Sequence, residues 1–105
     1  METPNHEYIE QLSGGDKAFA DSLIDILSTE LAEDIDSYKA AMSKKDYLDA
    51  KLYVHRIKHK MGMLGLESSY KRANDFENGL LESNLGEQSY FESMLPIMTE
   101  FLASN

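Results

Sequence analysis

The 105-residue chain has no cysteine and no tryptophan, holds only two prolines, and contains no apolar run long enough to cross a bilayer. Without cysteine, disulfides, thiolate nucleophiles and thiolate metal sites are excluded together, and a secreted disulfide scaffold goes with them. Positive charge is also scarce: ten Lys and Arg stand against nineteen Asp and Glu, a formal charge of −9. Such a surface repels phosphate backbones and anionic lipid, which argues against nucleic-acid and membrane partners. Residues 1–10 carry no Lys or Arg and no apolar stretch, so no export leader is expected and a cytoplasmic protein is. A phosphate-cradling glycine loop is missing, and no paired carboxylates mark a cleft. A self-contained enzyme is therefore not expected.

What is present suffices for one domain, expected to span residues 1–105 as a monomer. Hydrophobic residues make up 42% of the chain, enough for a core that needs no covalent staple. The few basic residues are concentrated. Between positions 44 and 72 lie Lys44, Lys45, Lys51, Arg56, Lys58, Lys60, Lys71 and Arg72 against Asp46, Asp49 and Glu67, leaving +5 there and −14 over the rest. An acidic body with one basic segment suggests that a small anionic group, such as a phosphoryl group, is handled on that segment; a solvated basic helix face is the plainer alternative.

The pattern is helical throughout, with apolar residues stepping by three and four and no alternating run that would mark a strand. Thr3-Pro4 can start a short helix over residues 5–12, which Ser13-Gly14-Gly15 ends. Asp16 can cap a long second helix with the stripe Phe19, Leu23, Ile26, Leu27, Leu31, Ile35, Tyr38 and Met42. After a polar turn at 43–46, Ala50, Val54, Ile57, Met61 and Leu64 mark the buried side of a third helix, stopped by Gly65. A fourth should begin within 66–69 and bury Leu66, Tyr70, Ala73, Phe76 and Leu80. A fifth carries Tyr90, Phe91, Met94, Leu95, Met98, Phe101 and Leu102, with Pro96 expected to kink it or shift its start. The expected fold is all-α: an antiparallel four-helix bundle with a short additional N-terminal helix.

On the third helix the buried stripe turns away from His55, which should stand at least partly in water. Within roughly 80° of it, at about 100° per residue, lie Leu48, Lys51, Leu52, Lys58, His59, Gly62 and Met63. Three apolar residues beside a bare glycine suit a docking surface, although single exposed apolar residues are common. His55 and His59, four apart, could also bind zinc from one helix face. Arg56 where a zinc hydrolase has glutamate, the lack of cysteine, and the flanking positive charge of Lys58 and Lys60 oppose it, so neither metal nor cofactor is expected.

The segment Val54-His55-Arg56-Ile57-Lys58-His59-Lys60-Met61-Gly62-Met63-Leu64-Gly65-Leu66 resembles the signature of histidine-containing phosphotransfer (HPt) domains. That signature asks for a small or apolar residue, the histidine, an apolar residue two later, lysine three later, and glycines seven and ten later. Val54, His55, Ile57, Lys58, Gly62 and Gly65 meet it. The Leu12-Ser13-Gly14-Gly15-Asp16 turn, Asp46 and Phe76-Glu77 are similar to further family positions.

The resemblance implies a helical bundle whose exposed histidine takes a phosphoryl group from a receiver-domain aspartate, or passes one on, without kinase activity of its own. His55 would be the phosphoacceptor, Lys58 would offset the phosphoryl charge, and Glu77 would hydrogen-bond the inner ring nitrogen and orient it. The implied partners are response-regulator receiver domains and a hybrid sensor histidine kinase, with magnesium supplied by the receiver. Leu48, Leu52, Gly62 and Met63 would form the docking rim. His59 departs from the family, which has a small residue there; its ring could obstruct an incoming receiver or offer the phosphoryl group a hydrogen bond. The alternative is a non-catalytic HPt-like module that binds receiver or kinase domains without transfer.

Overall fold

Helix N-termini leave free N–H groups that an oxygen must take, and in the computed structural model, which describes residues 2–104, side chains supply it for three of the four longer helices. The expected single-domain span thus reaches one residue beyond the described ones at each end. Asp16 Oδ1 accepts from the Phe19 N–H at 3.1 Å and opens α2 (Lys17–Ser43); Asp46 Oδ1 accepts from the Asp49 N–H at 3.1 Å and opens α3 (Tyr47–Met63). α4 (Glu67–Gly79) is capped from the far end of the chain, because the Glu2 carboxylate accepts from the N–H groups of Ser68 and Ser69 and from Ser69 Oγ, each at 2.9 Å. Burial works to raise the Glu2 pKa, yet these hydrogen bonds outweigh it and hold the carboxyl below its ordinary value.

The same N-terminal segment lies across the α3–α4 corner. The Asn5 N–H donates to the Leu64 carbonyl at 2.8 Å, and the Asn5 side chain sits where a Cβ on Gly65 would be. Gly65 has φ +76°, so glycine is required there both for space and for backbone conformation. Because Asn5 is engaged in this way and its Oδ1 also accepts from the Glu7 N–H at 3.0 Å, α1 covers Glu7–Ser13 rather than starting at residue 5. After α4, a 3-10 turn at Leu80–Glu82 leads to α5 (Gln88–Ala103), and no strand occurs among the described residues.

α3 packs against α2 on one side and α4 on the other, α5 closes against α2 and α4, and α1 lies on α2. Its expected stripe, Ala50, Val54, Ile57 and Met61 with Leu64 beyond, is wholly buried. α5 likewise buries Phe91, Met94, Leu95, Met98 and Leu102, and runs unbroken through Pro96. Pro96 lies on the exposed side, where water can take the carbonyl that its missing N–H leaves free. Tyr38, Phe76 and Phe91 form an aromatic cluster with centroids 5.2–6.3 Å apart, and the Tyr38 hydroxyl donates to Glu92 Oε2 at 2.8 Å. No helix among the described residues is long and apolar enough to cross a membrane.

The face of α2 corrects the expected one. Its buried residues are Ile24, Leu27, Leu31, Asp34, Tyr38 and Ala41, while Phe19 and Ile26 are half exposed and Ile35 is only partly buried. The reason is Asp34, which sits in the core seam and pairs with Lys60 Nζ at 2.9 Å and Arg56 Nε at 3.0 Å. A polar residue at a core position displaces the apparent apolar stripe by one residue. Removing one partner of a buried pair strands the other charge, so Asp34→Ala should lower the unfolding free energy by about 3 kcal/mol in urea denaturation. The double replacement Asp34→Leu with Lys60→Met should recover most of it; a loss below about 1 kcal/mol in the single variant would show that Glu30, 3.4 Å from Lys60, neutralises that lysine alone.

Candidate functional site

α3 places Val54 in the core, so His55, one step of about 100° further, emerges at the edge of its packed face beside α4. Its side chain is 49% exposed. From α4, Glu77 brings a carboxylate that is 11% exposed, and the His55 Nδ1–H donates to Glu77 Oε2 at 2.9 Å. The contact between Glu77 and the inner ring nitrogen that the resemblance implies is thus present, reached across the α3–α4 packing.

Lys58 is placed differently from its expected position on the solvent face. It is buried at 5% exposure, because three helical steps from His55 carry it toward α4. There its ammonium ion-pairs with Glu77 Oε1 at 2.9 Å, donates to Asn74 Oδ1 at 3.0 Å and lies 5.4 Å from the centre of the Tyr70 ring. In this arrangement it holds Glu77 rather than facing a group on His55. Burial works to raise the Glu77 pKa, but hydrogen bonds from Lys58 and His55, and their charges, win and leave the carboxyl below its ordinary value. An ionised carboxylate at Nδ1 keeps the proton there, which leaves the Nε2 lone pair free to act as acceptor, nucleophile or ligand.

That lone pair is not open to water alone. His59 Nε2 stands 3.2 Å from His55 Nε2, and with Nδ1 of His55 committed to donating, His59 must be the donor. The two rings meet edge-to-face at 4.5 Å, and His59 in turn meets Tyr70 edge-to-face at 5.9 Å. Burial lowers the His59 pKa, the charges of Lys58, Lys60 and of a protonated His55 add to this, and Glu77 opposes it.

Of the expected rim, Leu48 and Leu52 are 71% and 51% exposed, and Gly62 is exposed with the Tyr70 ring 3.4 Å from where its Cβ would stand. Met63 is partly buried against the core and contributes only an edge. Sequence reasoning missed Asn74 and assigned Tyr70 to the core, whereas both wall the site. The steps of four and three that join Tyr70, Asn74 and Glu77 on one face of α4 were the available signal. The basic segment is also less available than its charge implied: Arg56 and Lys60 pair with Asp34, Lys58 with Glu77, and Arg72 with Glu87 at 2.6 Å. No group of three or more potential metal ligands occurs among the described residues.

Because Glu77 has a folded-state pKa below its unfolded value, the stability it contributes is complete above about 4.5 and is lost as pH falls through the lower folded value. Glu77→Gln should therefore cost about 2 kcal/mol at neutral pH, the worth of charge-assisted hydrogen bonds, and the gap to the unsubstituted protein should close below the ordinary carboxyl range. Urea unfolding between pH 7 and pH 3 measures this; two parallel curves would contradict it. No family model, curated protein or solved structure matches this chain.

Proposed function

We propose that this chain is a histidine phosphotransfer module of the HPt kind, an antiparallel four-helix bundle of α2, α3, α4 and α5 with α1 laid on α2, in which His55 carries a phosphoryl group between receiver-domain aspartates. The observation that carries this reading is the 2.9 Å bond from His55 Nδ1 to a carboxylate, on a ring half open to solvent. Neutral imidazole with Nδ1 protonated is the nucleophilic form, and its tautomer is held before any partner arrives.

In the forward step the Nε2 lone pair attacks phosphorus of an aspartyl phosphate on the receiver. An N–P bond forms, the P–O bond to the aspartyl carboxylate breaks, and that carboxylate leaves with its electron pair. The proton on Nδ1 stays, and Glu77 offsets the positive charge that develops on the ring. The reverse sequence on a second receiver discharges the histidine. Magnesium belongs to the receiver, and Lys58 contributes by fixing Glu77. Leu48, Leu52 and Gly62 supply an apolar, low-profile rim for docking, since in-line transfer gains mainly from positioning. The chain itself makes no phosphate bond from nucleotide, and the hybrid sensor kinase and its receivers are the partners of this role.

His59 bears on the rate. It occupies the direction from which phosphorus must approach Nε2, so its hydrogen bond has to break first.

Incubation with a receiver charged by a small acyl phosphate should yield an acid-labile, alkali-stable adduct that disappears in His55→Gln while the helical content persists. A label that survives the substitution ends the assignment, and receiver binding with no transfer supports the non-catalytic module, whose case is the occupied lone pair. His59→Ala should accelerate transfer by about fivefold, the equivalent of one neutral hydrogen bond of ~1 kcal/mol. Slower transfer would make His59 a helper.

A further inference from the structure

We propose that His55 and His59 together form a two-point binding site for one divalent transition-metal ion of the Zn2+ class, held between their Nε2 atoms. The assignment is independent of the phosphoryl-transfer reading. It starts from the distance: two imidazole nitrogens on one zinc ion, each about 2.05 Å from it, stand about 2.9 Å apart at a right angle and about 3.3 Å apart at the tetrahedral angle. The two Nε2 atoms are 3.2 Å apart. Both rings project from α3 one turn apart, so the spacing is maintained by a helix whose opposite side, Val54, Ile57 and Met61, is completely buried.

Three further features favour a ligand at this point. The His55 ring already has the outer support that metal-bound histidines have, Nδ1–H donated to a carboxylate at 2.9 Å, and this leaves Nε2 as the only nitrogen that can ligate. His59 gives up its present hydrogen bond by moving its proton through solvent from Nε2 to Nδ1, which needs no net change of charge. The positive charge that argued against metal in the sequence still acts on His59 from Lys58 and Lys60, but each of these bases is paired with an acid. Lys58 is turned to Glu77 and Asn74, Lys60 to Asp34 and Glu30, and Arg56 to Asp34. The rest of the coordination sphere is water, since no third protein ligand stands by among the described residues. The site selects imidazole-loving Zn2+, Ni2+ or Cu2+ over Mg2+ or Ca2+, and engages the same lone pair that phosphorylation requires.

Calorimetric titration of the chelator-washed full chain with Zn2+ tests this directly. The expected result is saturable one-to-one binding, unchanged in His6→Gln, weakened at least tenfold in both His55→Gln and His59→Gln, and weakened about 10- to 100-fold in Glu77→Gln through loss of the outer support. In the unsubstituted protein, Zn2+ should also shift the Nε2 resonances of His55 and His59 together in nitrogen-15 spectra, a readout that needs no variant to fold. Absence of one-to-one binding, a His59→Gln variant that binds as tightly as the parent, or a shift confined to one of the two rings would overturn the site.

Discussion

The carboxylate of Glu77 is the constraint on which the site depends. It is almost enclosed, and one oxygen takes the Lys58 ammonium while the other takes the His55 ring N–H, each at 2.9 Å. A buried carboxylate without partners would take up a proton and lose its grip on both neighbours. With Lys58 beside it the carboxylate stays ionised, and an ionised carboxylate can only accept, so the imidazole must present its proton inward. The tautomer of His55 is thereby decided by a lysine that never touches it. Asn74 fixes that lysine from the same helix as Glu77, which ties the orientation of one exposed ring to the α3–α4 packing.

The same logic organises the charge of α3. Three of its four bases face acids from the neighbouring helices: Arg56 and Lys60 pair with Asp34 of α2, Lys58 with Glu77 of α4. A helix with a basic exposed side is thus clamped between two acidic neighbours by buried or half-buried pairs, and its apolar stripe lies between them. Such pairs are weak contributors to net stability but severe discriminators of register, since sliding α3 by one turn would leave Asp34 and Glu77 enclosed without cations. The overall excess of acid therefore coexists with a locally basic helix without leaving a broad cationic surface.

How much of this was legible in the sequence follows from how local each cause is. The Asp16 cap and the buried stripe of α3 rest on residues within a turn or two of each other and are legible in the sequence, whereas Asp46, expected only as part of a polar turn, is also a cap. The helical class follows from the same periodicity. Asp34 was not legible, because a carboxylate at a core position is recognisable only with Lys60, 26 residues away, in place beside it. Nor was the cap of α4, whose oxygens arrive from Glu2. Lys58 was placed on the right helix and the wrong side of the boundary between solvent and core, since a long aliphatic stem carries its charge several ångströms from the Cα that the helical wheel positions. Glu77 is legible only through the family resemblance, whereas the placement of its companions Tyr70 and Asn74 beside the site depends on how α4 packs against α3.

His59 is where these threads meet. A nitrogen lone pair can be engaged once, and at 3.2 Å His59 engages the one that Glu77 leaves available on His55. A small residue in its place would leave that lone pair to water, and the exposed face of α3 would carry one functional nitrogen rather than two. The lowered pKa of His59 disfavours a positive charge there, and its N–H can be withdrawn at the expense of one ordinary hydrogen bond. The ring meets Tyr70 edge-to-face, and the Tyr70 ring lies over Gly62, so the glycine, the tyrosine and the second histidine lie side by side next to the first. Any partner that reaches His55, whether a phosphorus atom or a metal ion, must therefore displace His59 or share it, and that choice distinguishes a passive shield from a second functional group.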